Sequence, residues 1–147
     1  KLGSKIIIEH VGSTAVPGMG GKGVIDIAIY TLGKNLKSYT GKLKEIGFEF
    51  SEKHPTDQRR AFMQKIIKYK GKERWVNLHL CLTNEFWESF IIFRDHLRKN
   101  SKDRDKYAKI KREAVRHAKG DGTKYFAFKE TLIKEIFEKA KKALREI

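Results

Sequence analysis

An aspartate stands inside one of the most apolar segments of this chain. Residues 24–31 read Val-Ile-Asp-Ile-Ala-Ile-Tyr-Thr, and the β-branched side chains around Asp26 predict a buried strand. A carboxylate that is buried without a partner is strongly disfavoured. Asp26 is therefore expected to bind a metal ion, to pair with a cation, or to lie where the strand faces a cleft.

The first half of the chain reads as strands and turns, and the second half reads as helices. Strands are predicted at residues 5–11, 24–31, 48–50, 61–69 and 74–82. Helices are predicted at residues 35–46, 85–99, 102–119 and 123–145, with Thr83 or Asn84, Ser101 and Thr123 as caps and a break at Gly120-Asp121-Gly122. We expect one α+β domain over residues 1–147, with a mixed sheet of four or five strands, helices packed on it and a helical C-terminal half.

Composition excludes several classes of protein. A hydrophobic content of 39% predicts a folded domain within the 147 residues, and the apolar runs are too short to span a bilayer. One cysteine, Cys81, excludes an internal disulfide framework and every multi-cysteine metal site. Residues 1–11 do not read as a secretory segment, so we expect a cytoplasmic protein that does not contact a membrane.

The charge balance favours anionic partners without identifying one. The chain has 33 Lys and Arg against 18 Asp and Glu, for a formal net charge of +15 and a pI near 9.9. Such a charge suits nucleic acid, a nucleotide or a phosphorylated metabolite. Because the lysines are spread along the whole chain, a solvated lysine-rich surface is the alternative interpretation.

Alternation along the predicted strands brings polar residues together. Gly12 and Ser13 follow the first strand, and twelve residues separate Ser13 from Asp26. Asn77 and His79 share one face of a later strand. If the two polar faces meet, Asp26, Asn77 and His79 converge near Gly12 and Ser13. His79 would then be a metal ligand, a general base or a phosphate contact, and a core histidine bonded to a carbonyl is the alternative.

Several cations accompany these elements. Arg94 and Arg98 lie four residues apart on one helical face, which suits bidentate binding of phosphate. An ion pair with Asp95 or Glu88 is the alternative for these arginines. The cations nearest to the predicted site in the sequence pattern are Lys22, Arg59, Arg60, Arg94, Arg98 and Lys129.

The order of these motifs resembles the GrpB family, a group within the nucleotidyltransferase superfamily. The resemblance covers nearly the whole chain. It rests on Glu9-His10-Val11-Gly12-Ser13-Thr14-Ala15-Val16-Pro17-Gly18-Met19 with Lys22, Ile25-Asp26-Ile27, Asn77-Leu78-His79-Leu80, Phe93-Arg94-Asp95-His96-Leu97-Arg98, Tyr107 with Lys111, and Tyr125 with Lys129.

The resemblance implies a nucleotidyltransferase-like core, in which a Gly-Ser turn holds triphosphate and an Asp-x-Asp pair holds Mg²⁺ or Mn²⁺. Asp26 matches the first aspartate of that pair, and Ala28 stands in place of the second. The resemblance also implies a nucleotide or coenzyme A context, because a related domain occurs fused to dephospho-coenzyme A kinase.

The resulting functional hypothesis is transfer of a nucleotidyl or phosphoryl group to a small molecule. Asp26 and His79 would be catalytic, with Asp26 also on the metal. The phosphate or nucleotide would be bound by Gly12, Ser13, Thr14, Lys22, Arg60, Asn77, Arg94, Arg98 and Lys129. The alternative is a non-catalytic module with a degenerate metal site that binds a nucleotide, coenzyme A or RNA.

Overall fold

The computed structural model describes residues 5–20, 23–33, 35–52, 54, 56–118 and 122–146. The strands are β1 (Ile6–Val11), β2 (Val24–Thr31), β3 (Glu49–Phe50), β4 (Arg60–Tyr69) and β5 (Lys72–Cys81). The helices are α1 (Leu36–Glu45), α2 (Asn84–Lys99), α3 (Ser101–Ala118) and α4 (Gly122–Arg145). These elements confirm the predicted α+β class and the helical C-terminal half. No helix in the described ranges has the length and apolarity needed to cross a bilayer.

The strands form one mixed sheet in the order β1-β2-β5-β4-β3. β2 pairs with β5 in parallel, and the other neighbours pair antiparallel. Lys70 and Gly71 turn the β4–β5 hairpin with φ angles of 49° and 75°, the pair of positive angles that a type I′ turn requires. A parallel pair needs a long crossover, and α1, β3 and β4 supply it here. Residues that are distant in sequence on β2 and β5 therefore become neighbours at the centre of the sheet.

Alternation along the strands gives the sheet two differently covered faces. On one face, Ile29 of β2 and Leu80 of β5 belong to a buried cluster that includes Leu43 of α1. On the other face, Ala28 of β2 packs in a cluster with Trp87 of α2. Because Asp26 and Ala28 are two residues apart, Asp26 lies on the face that the C-terminal helices cover.

The three C-terminal helices pack around a core of their own. It consists of Leu97 from α2, Tyr107 from α3, Leu132 and Ile136 from α4, and Val16 and Met19 from the segment after β1. Val16 and Met19 thus fasten the segment between β1 and β2 to the helices. This attachment holds the turn after β1 against α2, α3 and α4.

The observed helix ends lie within about two residues of the predicted ones, but α3 begins at its predicted cap, Ser101, and the backbone N–H of Arg104 donates to the carbonyl of Asn100 just before it. Asn35 caps α1 by accepting a hydrogen bond from the backbone N–H of Ser38 at 3.0 Å, and Gly47, with φ +91°, follows the end of that helix. The predicted side-chain cap of α2 is wrong. Thr83 occupies the N-cap position, but its Oγ1 is buried without a hydrogen-bond partner in the described part of the chain. The side chain of Asn84 bonds to Glu88 instead.

The strand ends differ from the prediction by one or two residues. The predicted third strand loses Phe48, whose side chain is buried in the core. β5 begins at Lys72 because its pairing with β4 continues to the turn, where Tyr69 lies opposite Lys72. Gly120 and Asp121 of the predicted helix break lie outside the described residues, as does the side chain of the predicted cap Thr123.

A hydrogen-bonded ion pair ties the corner between α2 and α3 to α4. His96 Nε2 lies 2.7 Å from Asp103 Oδ2, and Lys139 Nζ donates to Asp103 Oδ1 at 3.3 Å. The hydrogen bond with His96 holds the pKa of Asp103 below its ordinary value of 3.8, against the opposing effect of burial and with further help from Lys139. The charged carboxylate therefore stabilises the fold above its unfolded pKa, and this stability is lost as the pH falls through the lower folded-state pKa.

We expect Asp103→Asn to lower the free energy of unfolding at neutral pH by about 1–3 kcal/mol, because charged hydrogen bonds are lost. The difference from the wild-type protein should shrink as the pH falls below the ordinary carboxyl value of 3.8 and through the lower folded-state pKa of Asp103, because the wild-type carboxyl group then becomes protonated as well. Urea unfolding followed by circular dichroism measures both quantities. Asp105→Asn is the matched control, because Asp105 lies on the same helix with its side chain 79% exposed. A difference that does not change with pH would contradict the role of the Asp103 charge.

Candidate functional site

A cavity of about 620 Å³ lies between the sheet and helices α2, α3 and α4. Most of its wall is apolar, and the larger side chains there are Phe62, Phe90, Phe93, Tyr107, Ile133 and Phe137. Its polar side chains are Ser13, Thr14, Asp26, His54, Asn77, His79, Ser89, Lys111, Lys129 and Lys134. An apolar concavity with a few converging polar groups is typical of a small-molecule site.

A row of polar side chains crosses the sheet at this cavity. The strand register places Asp26 of β2 opposite Asn77 of β5, and Asn77 opposite Gln64 of β4. Gln64 Nε2 donates to Asn77 Oδ1, and Asn77 Nδ2 donates to Asp26 Oδ1, each at 2.9 Å. His79 Nε2 lies 3.7 Å from the same carboxylate oxygen. The predicted convergence of Asp26, Asn77 and His79 is confirmed.

The turn after β1 closes over the Asp26 carboxylate. Gly12 has a φ of +73°, and a short 3₁₀ helix, Ser13–Ala15, follows it. A Cβ atom at position 12 would lie 2.6 Å from Asp26 Oδ2, so a larger residue does not fit while the carboxylate keeps its place. Glycine is required here both for its positive φ and for this close approach. The turn therefore brings Ser13 to the same corner of the cavity as Asp26, as predicted.

Two lysines from different helices complete this corner. Lys111 Nζ of α3 donates to Ser13 Oγ at 2.7 Å. Lys129 of α4 is close enough to Asp26 for the two charges to interact. Burial lowers the pKa of Lys129, and the negative charge of Asp26 offsets part of that effect.

The Asp26 carboxylate is held in its charged form. Burial on its own would raise the pKa of Asp26. The interactions with His79 and Asn77 and the charge of Lys129 outweigh burial, and the pKa lies below its ordinary value. Asp26 is therefore ionised at neutral pH and presents an acceptor to the cavity.

Aromatic rings set the position of His79. Its ring lies between those of Phe62 and Phe90, with centroid distances of 4.9 and 4.5 Å. His54 packs against Phe62 at 4.3 Å and extends the aromatic wall. The His79 imidazole thus lies in the wall of the cavity, near Asp26.

The structure places the two predicted phosphate-binding arginines of α2 away from the cavity lining. Arg94 is buried, and it donates to Glu9 Oε2 at 2.7 Å, to Asp95 Oδ1 at 2.9 Å and to the His10 carbonyl at 3.0 Å. Burial opposes its charge, but the contacts with Asp95 and Glu9 keep the pKa of Arg94 above its ordinary value. Arg98 donates to the carbonyl of Ala15 at 2.9 Å. The ion pair with Asp95, which the sequence offered as the alternative to phosphate binding, is therefore present in the structure. Both arginines hold β1 and its turn against α2.

Of the remaining predicted site residues, some line the cavity and others do not. Thr14 and Lys129 line the cavity together with Gly12, Ser13, Asp26, Asn77 and His79. Arg60 stacks on Phe86 and lines a smaller cavity of about 180 Å³ that shares the rings of Phe62 and His79. Lys22 lies outside the described residues.

Gln64 and Lys111 are site residues that the sequence prediction missed. Gln64 acts on Asp26 through Asn77, and only the register between β4 and β5 reveals this. Lys111 lies one helical turn after Tyr107, so the spacing places both side chains on one face of α3. The spacing from Tyr107 could therefore have identified Lys111 as a candidate site residue. No comparable pattern in the sequence identifies Gln64.

The described residues do not fit a two-metal centre. Ala28, in the place of the second aspartate, is fully buried against Val11, Cys81 and Trp87. Within the described ranges, no group of three or more His, Cys, Asp or Glu side chains is arranged to hold a metal ion. Mg²⁺ prefers an octahedron of oxygen ligands, and this corner offers one carboxylate that already interacts with Lys129.

We expect Gly12→Ala to displace the Asp26 carboxylate and to destabilise the fold by about 2–4 kcal/mol, from backbone strain and steric overlap together. Gly18→Ala is the matched control, since Gly18 also has a positive φ (+81°) but a Cβ atom there meets nothing within 4 Å. That variant should lose about 1–2 kcal/mol from strain alone. Urea unfolding of both variants measures the difference, and equal losses would contradict the close contact with Asp26.

We expect Ala28→Asp to destabilise the protein by about 3 kcal/mol or more, because it buries a charge in a packed cluster. It should not increase the affinity for Mg²⁺. Urea unfolding and calorimetric titration with MgCl₂ measure the two effects. Ala127→Asp, at an exposed position of α4, is the control and should lose about 1 kcal/mol or less. A stable Ala28→Asp variant with new Mg²⁺ affinity would show that position 28 faces a metal site.

Comparisons with known proteins agree on one family. The family model described as GrpB protein matches residues 1–139. A UPF0157 protein of Halalkalibacterium halodurans is 34% identical over 143 residues, which are 95% of this chain and 70% of the relative. A UPF0157 protein of Pseudomonas aeruginosa is 31% identical over 139 residues, which are 94% of this chain and 57% of the relative.

A solved structure supports the same assignment at the level of the fold. The crystal structure of the conserved protein GrpB from Enterococcus faecalis matches with a TM-score of 0.67 at 23% identity, and the match covers 90% of this chain and 81% of that one. This chain therefore spans between 57% and 70% of the two UPF0157 relatives and a larger share of the solved neighbour. The solved neighbour shows the fold, and the family model together with the 34% identical relative shows that this chain belongs to the GrpB family.

Proposed function

We propose that this GrpB domain binds a small phosphorylated molecule in the cavity, with the phosphate at Ser13 and Lys111. The observation that carries the proposal is the contact between Lys111 Nζ and Ser13 Oγ at 2.7 Å, in the lining of a mostly apolar cavity. An ammonium group has three N–H donors, so it can bind a hydroxyl group and a phosphate oxygen together. Lys129 and Lys134 line the same cavity and add positive charge.

The size of the cavity favours a small molecule over RNA. Its volume of about 620 Å³ lies within the range of about 300–1,000 Å³ that is usual for small-molecule sites. A nucleotide or a phosphorylated metabolite matches that volume and the aromatic wall, and coenzyme A is the larger alternative. An RNA strand would depend on the exposed lysines instead, and its binding would weaken steeply with salt.

Asp26 and His79 extend the proposal towards group transfer. A neutral His79 imidazole beside the bound ligand would accept a proton from an attacking hydroxyl group, and the Asp26 carboxylate would stabilise the resulting imidazolium. Such a proton transfer suits nucleotidyl or phosphoryl transfer to a small molecule, as membership of the nucleotidyltransferase superfamily would imply. Ligand binding is the part that the geometry supports best, because the second carboxylate of a two-metal mechanism is replaced by the buried Ala28.

The first test is a thermal-shift and calorimetry panel of nucleotides, sugar phosphates, coenzyme A and short RNA, each with Mg²⁺, with Mn²⁺ or with EDTA. We expect a phosphorylated small molecule to raise the melting temperature by binding the native state. Lys111→Met should weaken its binding about tenfold or more, since a charge-assisted hydrogen bond is lost. Lys109→Met removes the same charge from an exposed position of the same helix and should have little effect.

The other outcomes of this panel also decide between hypotheses. Equal loss of affinity in the two lysine variants would indicate general surface attraction and contradict the site at Ser13. Binding of RNA alone, with a steep salt dependence, would favour the nucleic-acid module. Binding that requires Mg²⁺ and disappears in Asp26→Asn would favour a metal-dependent transferase. Failure of every phosphorylated small molecule to bind would overturn the proposal.

A further inference from the structure

The Asp26 carboxylate lies beside the place proposed for the phosphate. Oδ2 is close enough to Gly12 that a Cβ atom there would be 2.6 Å away, and the next residue is Ser13, which Lys111 contacts. A phosphate at Ser13 and the neighbouring Asp26 carboxylate repel one another, most strongly inside a mostly apolar cavity. The charge of Lys129 acts on Asp26 and offsets part of this repulsion, and a hydrogen-bond donor of the ligand between the phosphate and Asp26 offsets more of it.

The hydrogen-bond chain across the sheet leaves Asp26 Oδ2 as the acceptor on the Gly12 side. A carboxylate only accepts, so Asn77 must present its NH₂ group to Oδ1. Gln64 fixes that orientation by donating to the oxygen of Asn77. Oδ1 is thus occupied by Asn77 and faces His79, whereas Oδ2 is directed towards the turn after β1.

The charges of the cavity lining indicate how much negative charge a ligand should carry. Among the described lining residues are three lysines and one carboxylate, and Lys134 also pairs with Glu130 at 3.4 Å. The excess of positive charge is therefore modest, and a phosphate monoester suits it better than a more highly charged group. A triphosphate carries more charge and relies on divalent cations, for which this corner offers one carboxylate.

The aromatic wall indicates the remaining part of the ligand. Phe62, Phe90 and His79 form a connected set of rings on one side of the cavity, and Phe93 contacts Tyr107 edge to face. Such a wall favours a ligand with a planar ring. The faces of a flat ring can stack on the aromatic side chains while the polar atoms at its edge keep their hydrogen bonds.

We infer that the ligand is a phosphate monoester that carries a planar ring and a free hydroxyl group, bound without a divalent metal ion. The phosphate contacts Ser13 and Lys111, the hydroxyl group donates to Asp26 Oδ2, and the ring lies against the aromatic wall. This inference rests on the proposed function, because it describes the ligand of the same cavity. It adds a role for Asp26 as the residue that selects a hydroxylated ligand.

The test compares ribonucleoside 5′-monophosphates with their 2′,3′-dideoxy counterparts by calorimetry in EDTA. The wild-type protein should bind at least one ribonucleotide about tenfold or more tightly than its dideoxy form, since a site built to accept a hydroxyl group discriminates against its absence. The unphosphorylated ribonucleoside should bind more weakly than either nucleotide.

Asp26→Asn sharpens the test because the orientation of the new amide is dictated by its neighbours. Asn77 still donates to position 26, so the oxygen of the introduced amide must face Asn77 and its NH₂ group must take the place of Oδ2. The ligand hydroxyl group can still accept a hydrogen bond from this NH₂ group, but the charge-assisted bond to a carboxylate is replaced by a weaker neutral one, and the repulsion of the phosphate is removed. The dideoxy form should therefore gain affinity relative to the ribonucleotide, and the preference of the wild-type protein should fall about tenfold or more. Asp105→Asn, exposed on α3, is the control and should keep the wild-type preference.

The other possible results separate a failure of this inference from a failure of the proposed function. Equal binding of both nucleotide forms by the wild-type protein would overturn the role of Asp26, while leaving the proposed phosphate site intact. Binding of sugar phosphates but of no nucleoside monophosphate would contradict the claim that the ligand carries a planar ring. The proposed function, binding of a small phosphorylated molecule, would still stand. A requirement for Mg²⁺ would overturn the metal-free part. If no phosphorylated probe binds, the proposed function and this inference fail together.

Discussion

The parallel pairing of β2 with β5 determines most of what this domain can do. Its register sets Asp26 opposite Asn77, and the antiparallel partner of β5 adds Gln64 to the same row. A shift of the register by one residue would turn Asp26 towards the aliphatic core beneath α1 and would break both hydrogen bonds. On the opposite face of β2, the buried Ile29 and the half-buried Ile25 and Ile27 pack in that core and oppose such a shift. Hydrophobic packing on one side of the sheet therefore positions the polar groups on the other.

Besides the β2–β5 register, the site depends on contacts that hold β1 and its turn against the C-terminal helices. Arg94 contacts Glu9 and the His10 carbonyl, and Arg98 holds the carbonyl of Ala15. A charge as buried as that of Arg94 is costly unless its donors are satisfied, and here they bind two carboxylates and a backbone oxygen. The arginines thus act on the site through the backbone, and the lysines that line the cavity come from α3 and α4.

Sequence patterns predicted the sheet half of the site better than the helical half. Side chains in a strand alternate strictly, so Asp26, Asn77 and His79 could be assigned to one face before the pairing was known. A helix shows which of its residues share a face but not what that face meets, so the pattern did not reveal that Arg94 and Arg98 contact β1 and its turn. Gln64 depends on a register between distant strands, and Ala28 depends on the packing of Trp87, so no local pattern reports either role.

The contact between Lys111 and Ser13 bears on the order in which the parts of the domain fold. The two residues are 98 positions apart, and those joined by the Arg94–Glu9 pair are 85 apart. Contacts over such sequence separations form late and slow folding, because the intervening chain must first be ordered. During synthesis, Ser13 leaves the ribosome long before the helix that supplies Lys111. The sheet can begin to pair earlier, but the cavity comes into existence only when the last helices dock, which makes the site a product of completed folding.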